Sequence, residues 1–301
     1  MLKALKKYRA PYLFIMPFFI LFLVFQLVPT IWTFYISLTN WKGIGTPDFC
    51  GFDNYRKMLI DDMFWESLGN TVVYWLTGLV FIICCALLIA SLLNSRYLKS
   101  NSARAFFKTA TFLPNICAAI AMGLIFRMLF DENVGLVNEV VTIFGGSKIP
   151  WLTSTTFSKI PVIILNVWRY TPWFTMILLS GLLNISKDYY EAATVDGANR
   201  WKQVWHVTLP GLKGTIITMV LLAIGRMFYS DFGLFYQVPM RSGLLSSVTD
   251  TIDVFVYKGL TQLNDVGRAS AAGFLQSVLG FVLVLTANFI VRKVDEDSAL
   301  F

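Results

Sequence analysis

The chain has 301 residues, of which 56% are hydrophobic, 16% aromatic and only 14% charged; a soluble globular protein carries roughly 25% charged residues. This deficit, with a mean hydropathy of +0.63, excludes an ordinary water-soluble enzyme and a disordered chain, whose imbalance runs the other way. The net charge of +7 is not gathered on a polar helix, so no nucleic-acid partner is implied.

Six stretches, at about 11–36, 70–93, 106–130, 160–185, 212–236 and 268–291, are apolar over the roughly 20 residues that a membrane-spanning helix needs. The expectation is an all-α integral membrane protein with six transmembrane helices, residues 1–301 forming a single membrane domain. The first stretch follows Lys3, Lys6, Lys7 and Arg9 as a signal peptide would. Its apolar run is too long for a signal and no small-x-small cleavage site follows, so it is read as a retained span. The third is interrupted by Pro114-Asn115 and the fourth by Pro172; kinks are expected there.

The fourth span carries Asn166, Arg169, Tyr170 and Trp173 at i, i+3, i+4 and i+7. The fifth repeats that spacing with Arg226, Tyr229, Ser230 and Gly233, with Asp231 one step off. Ionisable groups in spans are expensive and mark pathways. Aromatic faces beside hydrogen-bonding groups suit sugars, which stack C–H faces and present hydroxyls, so Asn166, Arg169, Tyr170, Trp173, Arg226, Tyr229, Ser230 and Asp231 are the candidate substrate pathway. The alternative is that Arg226 and Asp231 are separate structural anchors. In the sixth span Asn288 reads as a helix–helix hydrogen bond, and the tail from Asp295 to Phe301 as short, polar and frayed.

Orientation follows from Lys and Arg. With the N-terminus in the cytoplasm, fourteen fall inside and nine outside, leaving Arg169 and Arg226 in spans; eleven acidic residues fall outside and six inside. Both termini are therefore expected in the cytoplasm. Cys50, Cys84, Cys85 and Cys117 form no disulfide framework, and the lone histidine, His206, excludes a multi-histidine metal site.

The longest cytoplasmic loop, 186–210, reads as a helix–turn–helix. Tyr190 to Val195 favours a short helix, Gly197 suits a left-handed turn, and Asn199 can cap the next helix. There Trp201, Val204, Trp205 and Thr208 recur at helical spacing as one face to be buried, and Pro210 is expected to stop the helix before span five. One reading is an interfacial loop with its tryptophans among headgroups. The other comes from the residue string. Glu191-Ala-Ala-x-x-Asp196-Gly-Ala, followed by Trp201 and Leu209-Pro, resembles the EAA loop of bacterial ABC importer permeases. The stretch Phe14 to Lys293 is similar to the maltose-type sugar permease family, without the large extracytoplasmic insertion and additional N-terminal helices of the Gram-negative maltose permease. Asp231 to Pro239 and Val248 to Asp253 are similar to oligo- and polysaccharide permeases.

That resemblance implies a permease subunit in the bacterial cytoplasmic membrane, paired with a second related permease and driven by two cytoplasmic ATPase subunits that bind ATP and magnesium. An extracytoplasmic binding protein would deliver the carbohydrate. It also implies that Glu191, Ala192, Ala193, Asp196 and Gly197 couple to the ATPase; Trp201 and Trp205, where the family tolerates various bulky residues, are this chain's departure and are counted with the coupling residues. The chain itself is expected to hold no cofactor or metal and not to be an enzyme: it has no G-x-x-x-x-G-K-[ST] phosphate loop, no G-x-S-x-G and no H-E-x-x-H. The alternatives are an importer for another small solute such as a glycerol phosphate, and a secondary transporter, for which Asp231 alone is a thin basis.

Overall fold

A computed structural model describes residues 9–95, 100–237, 239, 243–296 and 299–300. Lys3, Lys6 and Lys7, Arg96, Lys99 and Arg241 of the basic residues counted above, and Val238, Asp297, Ser298 and Phe301 of the segments named above lie outside the described residues, as does the side chain of Arg9. Among the described residues the chain is helical between its turns, with one isolated antiparallel bridge, Thr39 to Phe49.

Among the described residues, five helices are long and apolar enough to cross a membrane: α1 (Ala10–Ser37), α3 (Asp62–Leu93), α7 (Lys159–Asn184), α9 (Arg200–Gly225) and α12 (Val266–Val294). The pair α4 (Asn101–Ile116) and α5 (Ala119–Leu129) also passes as one apolar unit but is bent by 98°, which makes six if the bent pair is one span. Shorter helices fill the connections: α2 (Asp53–Leu59), α6 (Leu136–Ile143), α8 (Lys187–Val195), α10 (Phe232–Gln237) and α11 (Ile252–Thr261). Helix is what apolar solvent demands, because each backbone group must find its partner within the segment.

Three expectations are corrected. The third stretch stays helical through Pro114 and breaks at Cys117–Ala118, where both residues leave the helical region. The fifth ends at Gly225, and residues 226–231 form a turn and irregular chain before α10. Pro210 does not stop a helix. A π-turn, Val204–Thr208, precedes it and α9 continues through it. The same device precedes Pro29 in α1, where the π-turn is Leu23–Leu27. A proline ring clashes with the carbonyl four residues back; widening the turn just before it relieves the clash without ending the helix.

The helices sort into two compact units. The first comprises residues up to Phe64 with Phe255–Val278. Its centre is Asn54, 4% exposed, whose Nδ2 donates to the carbonyls of Ser37 and Thr39 at 2.8 and 2.7 Å. Arg268 bridges Asp61 at 2.7 Å and Asp265 at 3.1 Å. Gly267 sits where a Cβ would collide with the Thr39 carbonyl and come within 2.6 Å of Asn54 Nδ2. Gly267→Ala is therefore expected to destabilise this unit by about 3 kcal/mol, read as a lowered unfolding temperature of the protein in detergent; an unchanged temperature would refute the close approach.

The second unit comprises Trp65–Val254 and Leu279–Phe301. Its core joins Ala86, Ala90 and Leu93 of α3 to Leu178, Leu179 and Leu182 of α7 and Leu212 and Met219 of α9. These residues recur at three- and four-residue spacings, so each helix offers one stripe. In the 131–151 connection Asn138, 1% exposed, donates to Glu132 and Ile149 carbonyls at 3.1 and 2.9 Å and accepts from Ile149 N and Trp151 Nε1. Beside it, the backbone N–H groups of Val134 and Asn133 hold the Asp131 carboxyl below the usual range. The tail is not simply frayed: Asp295 pairs with Lys213 at 2.7 Å. The backbone N–H of Leu300 donates to Asn288 Oδ1 at 2.7 Å, so Asn288 ties down the tail.

Candidate functional site

Two features of the second unit could act on something outside the chain: a polar cluster midway along the spans, and the α8–α9 loop.

The cluster is built on α7, which stays continuous through Pro172. Arg169 and Tyr170 lie ten and eleven residues from Lys159, about 15 Å along the helix. Arg169 Nε is 3.0 Å from Asp231 Oδ2, with the side chains 18% and 13% exposed. The Tyr170 hydroxyl donates to the same oxygen at 2.9 Å. Asp231 Oδ1 accepts from Leu234 N at 3.1 Å and so caps α10. Asn115, near the end of α4, donates to the Arg169 carbonyl at 3.3 Å, and Gly233 of α10 lies where a Cβ would come within 2.8 Å of Ala119 Cβ on α5. The break between α4 and α5 and the break between α9 and α10 therefore meet at this ion pair. Irregular backbone at membrane depth is tolerated only inside protein or along a water-filled cavity.

Of the eight pathway residues, Arg169, Tyr170 and Asp231 are brought into direct contact. The other five are placed differently. Asn166 packs its amide over Gly78 of α3. Trp173 is 55% exposed and Tyr229 46%. Arg226 is the exposed residue that ends α9. Ser230 turns towards residues beyond α10: its Oγ and its backbone N–H each donate to Asp253 Oδ2 at 2.6 Å, and its Oγ is 2.6 Å from Thr251 Oγ1. The expected polar face along the fifth span does not exist, because no helix runs through 226–231.

Sequence reasoning missed Asp253 and Thr251, and missed what holds them. Asn70 Nδ2 donates to the carbonyls of Ser247 and Asp250, Tyr74 Oη to that of Val248, and Thr71 Oγ1 accepts from Ile252 N. Three polar residues at i, i+1 and i+4, where α3 turns apolar, were the available signal.

The α8–α9 loop is rigid by its own bonds. Ser186 caps α8. Gly197 takes φ +73°, and the N–H groups of Gly197 and Ala198 return to Thr194 and Ala193 carbonyls at 3.0 and 2.9 Å, which closes the helix end. Asn199 caps α9 through Lys202 N at 2.9 Å. Gln203 Nε2 donates to Thr194 Oγ1 at 3.0 Å, and the hydroxyls of Tyr190 and Thr208 meet at 3.0 Å. The tryptophan face differs from expectation: Trp201 and Trp205 are 73% and 65% exposed, and Thr208 is buried at 6%. The π-turn rotates Thr208 off the tryptophan stripe towards α8, so the brace is polar and the tryptophans point elsewhere. Glu191, Ala192, Val195 and Asp196 are exposed.

Residues 82–296 match the family described as binding-protein-dependent transport system inner membrane component. The chain is 34% identical over 294 residues to the arabinooligosaccharides transport system permease protein AraP of Bacillus subtilis, covering 96% of this chain and 89% of that one. It is 28% identical over 290 residues to the polygalacturonan/rhamnogalacturonan transport system permease protein YteP of the same organism, covering 95% and 89%. Its fold is similar to that of a chain in the crystal structure of a bacterial alginate ABC transporter in complex with alginate pentasaccharide-bound periplasmic protein, with a TM-score of 0.85, 24% identity and 97% of each chain covered.

Proposed function

Because the chain belongs to the family of binding-protein-dependent transport system inner membrane components, the non-catalytic permease subunits of ABC importers, we propose that it carries an oligosaccharide or a polysaccharide fragment across a bacterial cytoplasmic membrane. The observation that carries this reading is the likeness, along nearly the whole chain, to a permease named for arabinooligosaccharides. In this reading the bent α4–α5 pair is the third of six spans and both termini are cytoplasmic, as the excess of Lys and Arg on that side supports. ATP and magnesium belong to two ATPase subunits, and an extracytoplasmic binding protein delivers the sugar.

The pathway would pass the Arg169–Tyr170–Asp231 cluster, with Arg226, Tyr229 and Trp173 exposed near the breaks and available to sugar, and Asn166 and Ser230 supporting them. A second permease and lipid would cover α1, whose most apolar window has no buried residue in this chain. The α8–α9 loop would dock on an ATPase. Lys213, exposed, and Asp295, half-buried, form a charged pair that suits the inner edge of the membrane. Arg200 lies thirteen residues below Lys213, about 20 Å of helix, so the loop would project beyond the headgroups. That favours a protein partner for Trp201 and Trp205 over lipid.

The test is uptake by proteoliposomes holding the complete importer, offered labelled neutral and uronic-acid oligosaccharides, glycerol phosphate and a polyamine. ATP-dependent accumulation of one oligosaccharide class is the expected result. Accumulation of glycerol phosphate or polyamine alone would overturn the sugar reading.

A further inference from the structure

Ser230 is the last residue before the cap of α10, and its side chain is fully engaged by groups that come from outside the membrane-spanning helices. Asp253 Oδ2 accepts from both its hydroxyl and its backbone N–H, and Thr251 meets the hydroxyl. Thr251 itself is 0% exposed. The segment that carries them is bound to α3 at four points by Asn70, Thr71 and Tyr74. One residue beyond Ser230, Asp231 holds Arg169 and Tyr170. A continuous tie therefore runs from residues 247–253 through Ser230 to the intramembrane ion pair, joined at Ser230 by the carboxylate of Asp253 and the hydroxyl of Thr251.

We infer that Asp253 is a positioning residue for transport: by gripping Ser230 it sets the irregular chain between α9 and α10, and it conveys displacement of residues 247–253 to Arg169 and Asp231. This rests on the importer reading above. Asp253 touches no substrate in this role. A carboxylate suits it, since hydrogen bonds to a charged acceptor are about twice as strong as neutral ones and one oxygen here serves two donors on the same residue. An asparagine keeps an acceptor oxygen and loses the charge; an alanine loses both.

The experiment uses the complete importer in proteoliposomes. ATP hydrolysis is measured against the concentration of sugar-loaded binding protein for the parental complex, Asp253→Asn, Asp253→Ala and Ser230→Ala. Asp253→Ala is expected to lower the maximal stimulated rate about tenfold, as loss of one charge-assisted hydrogen bond between two states would do. The half-maximal concentration and the unstimulated rate should stay at parental values, and Asp253→Asn should recover part of the maximum. Ser230→Ala, which removes only a hydroxyl, should lower the maximum in the same direction. An unchanged maximum in Asp253→Ala overturns the inference. So does a raised half-maximal concentration at parental maximum, which would place Asp253 in docking. Loss of assembled complex in both Asp253→Ala and Ser230→Ala overturns it too, since the tie would then be needed only for folding. A parental complex that the binding protein fails to stimulate would count against the importer reading instead.

Discussion

Asp231→Ala is expected to abolish uptake and to destabilise the assembled permease by about 3–5 kcal/mol, the range for breaking a buried pair by removing one partner. Asp231 is 13% exposed beside Arg169 at 18%, and its loss leaves a guanidinium facing apolar helices. It also removes the acceptor of Tyr170 and the cap of α10. Asp231→Asn keeps an amide oxygen for the cap and should fall between alanine and the parent. The informative variant is the double replacement Arg169→Met with Asp231→Leu. Apolar substitutes of similar volume often restore stability lost from a buried ion pair, so the unfolding temperature in detergent should rise well above that of Asp231→Ala, short of the parental value by the lost cap and the lost acceptor of Tyr170. Uptake should not recover if the pair lines the sugar's route. Recovery of both would make the pair a structural anchor and remove it from the pathway.

Glu191→Lys and Gly197→Val are expected to release the ATPase. A charge reversal at a partly desolvated contact costs about 2 kcal/mol or more, a drop of about thirtyfold in affinity, seen as loss of the ATPase on co-purification. Gly197 acts through backbone. Its φ of +73° is costly for any side chain and most costly for a β-branched one, so valine should be worse than alanine. The turn it permits returns Ala198 N–H to the Ala193 carbonyl and so fixes how α8 is presented. Normal ATPase recovery with normal binding-protein-stimulated hydrolysis in both variants would sink the docking assignment and favour a loop that merely rests at the membrane surface.

Which parts of this molecule were legible in its sequence follows from what lipid does and does not constrain. Apolar runs mark where helix crosses the membrane because the solvent rejects charge and unpaired backbone alike, and α3, α7 and α12 lie where such runs are found. The run length says nothing of where a helix is interrupted. Residues 212–236 pass as one stretch by composition, yet Arg226-Met-Phe-Tyr-Ser-Asp231 holds two charges five apart, too far round a helix to share a face. Asp231 three residues before Leu234 is a cap signal, and reading it would have ended the helix early. The polar face on α7 was legible because α7 is unbroken; its counterpart on the fifth span was an artefact of extending helical periodicity through a segment that is not helix. Even so, Asp231 reaches Arg169, since a chain that must satisfy an intramembrane guanidinium has one carboxylate in that span to offer. Gly197 and Asn199 were legible because their roles are local. The exposure of Trp201 and Trp205 was not, since the π-turn that moves Thr208 off their stripe arises from Pro210 two residues beyond it.

The same π-turn has a mechanical consequence. By bypassing Pro210 it leaves α9 one continuous rod from Arg200 to Gly225. The rod is clasped midway by the core, where Leu212, Ile216 and Met219 meet α3 and α7. With Ile216 as fulcrum, about 24 Å of helix lies on the loop side and about 14 Å on the other. Tilting the rod is then a reducing lever: a shift of the loop arrives at Arg226 reversed in direction and at a little over half its size. Were an ATPase docked on the loop, as proposed above, a stroke of a few ångströms at the long arm would become a smaller, more forceful movement at the short one, beside the ion pair.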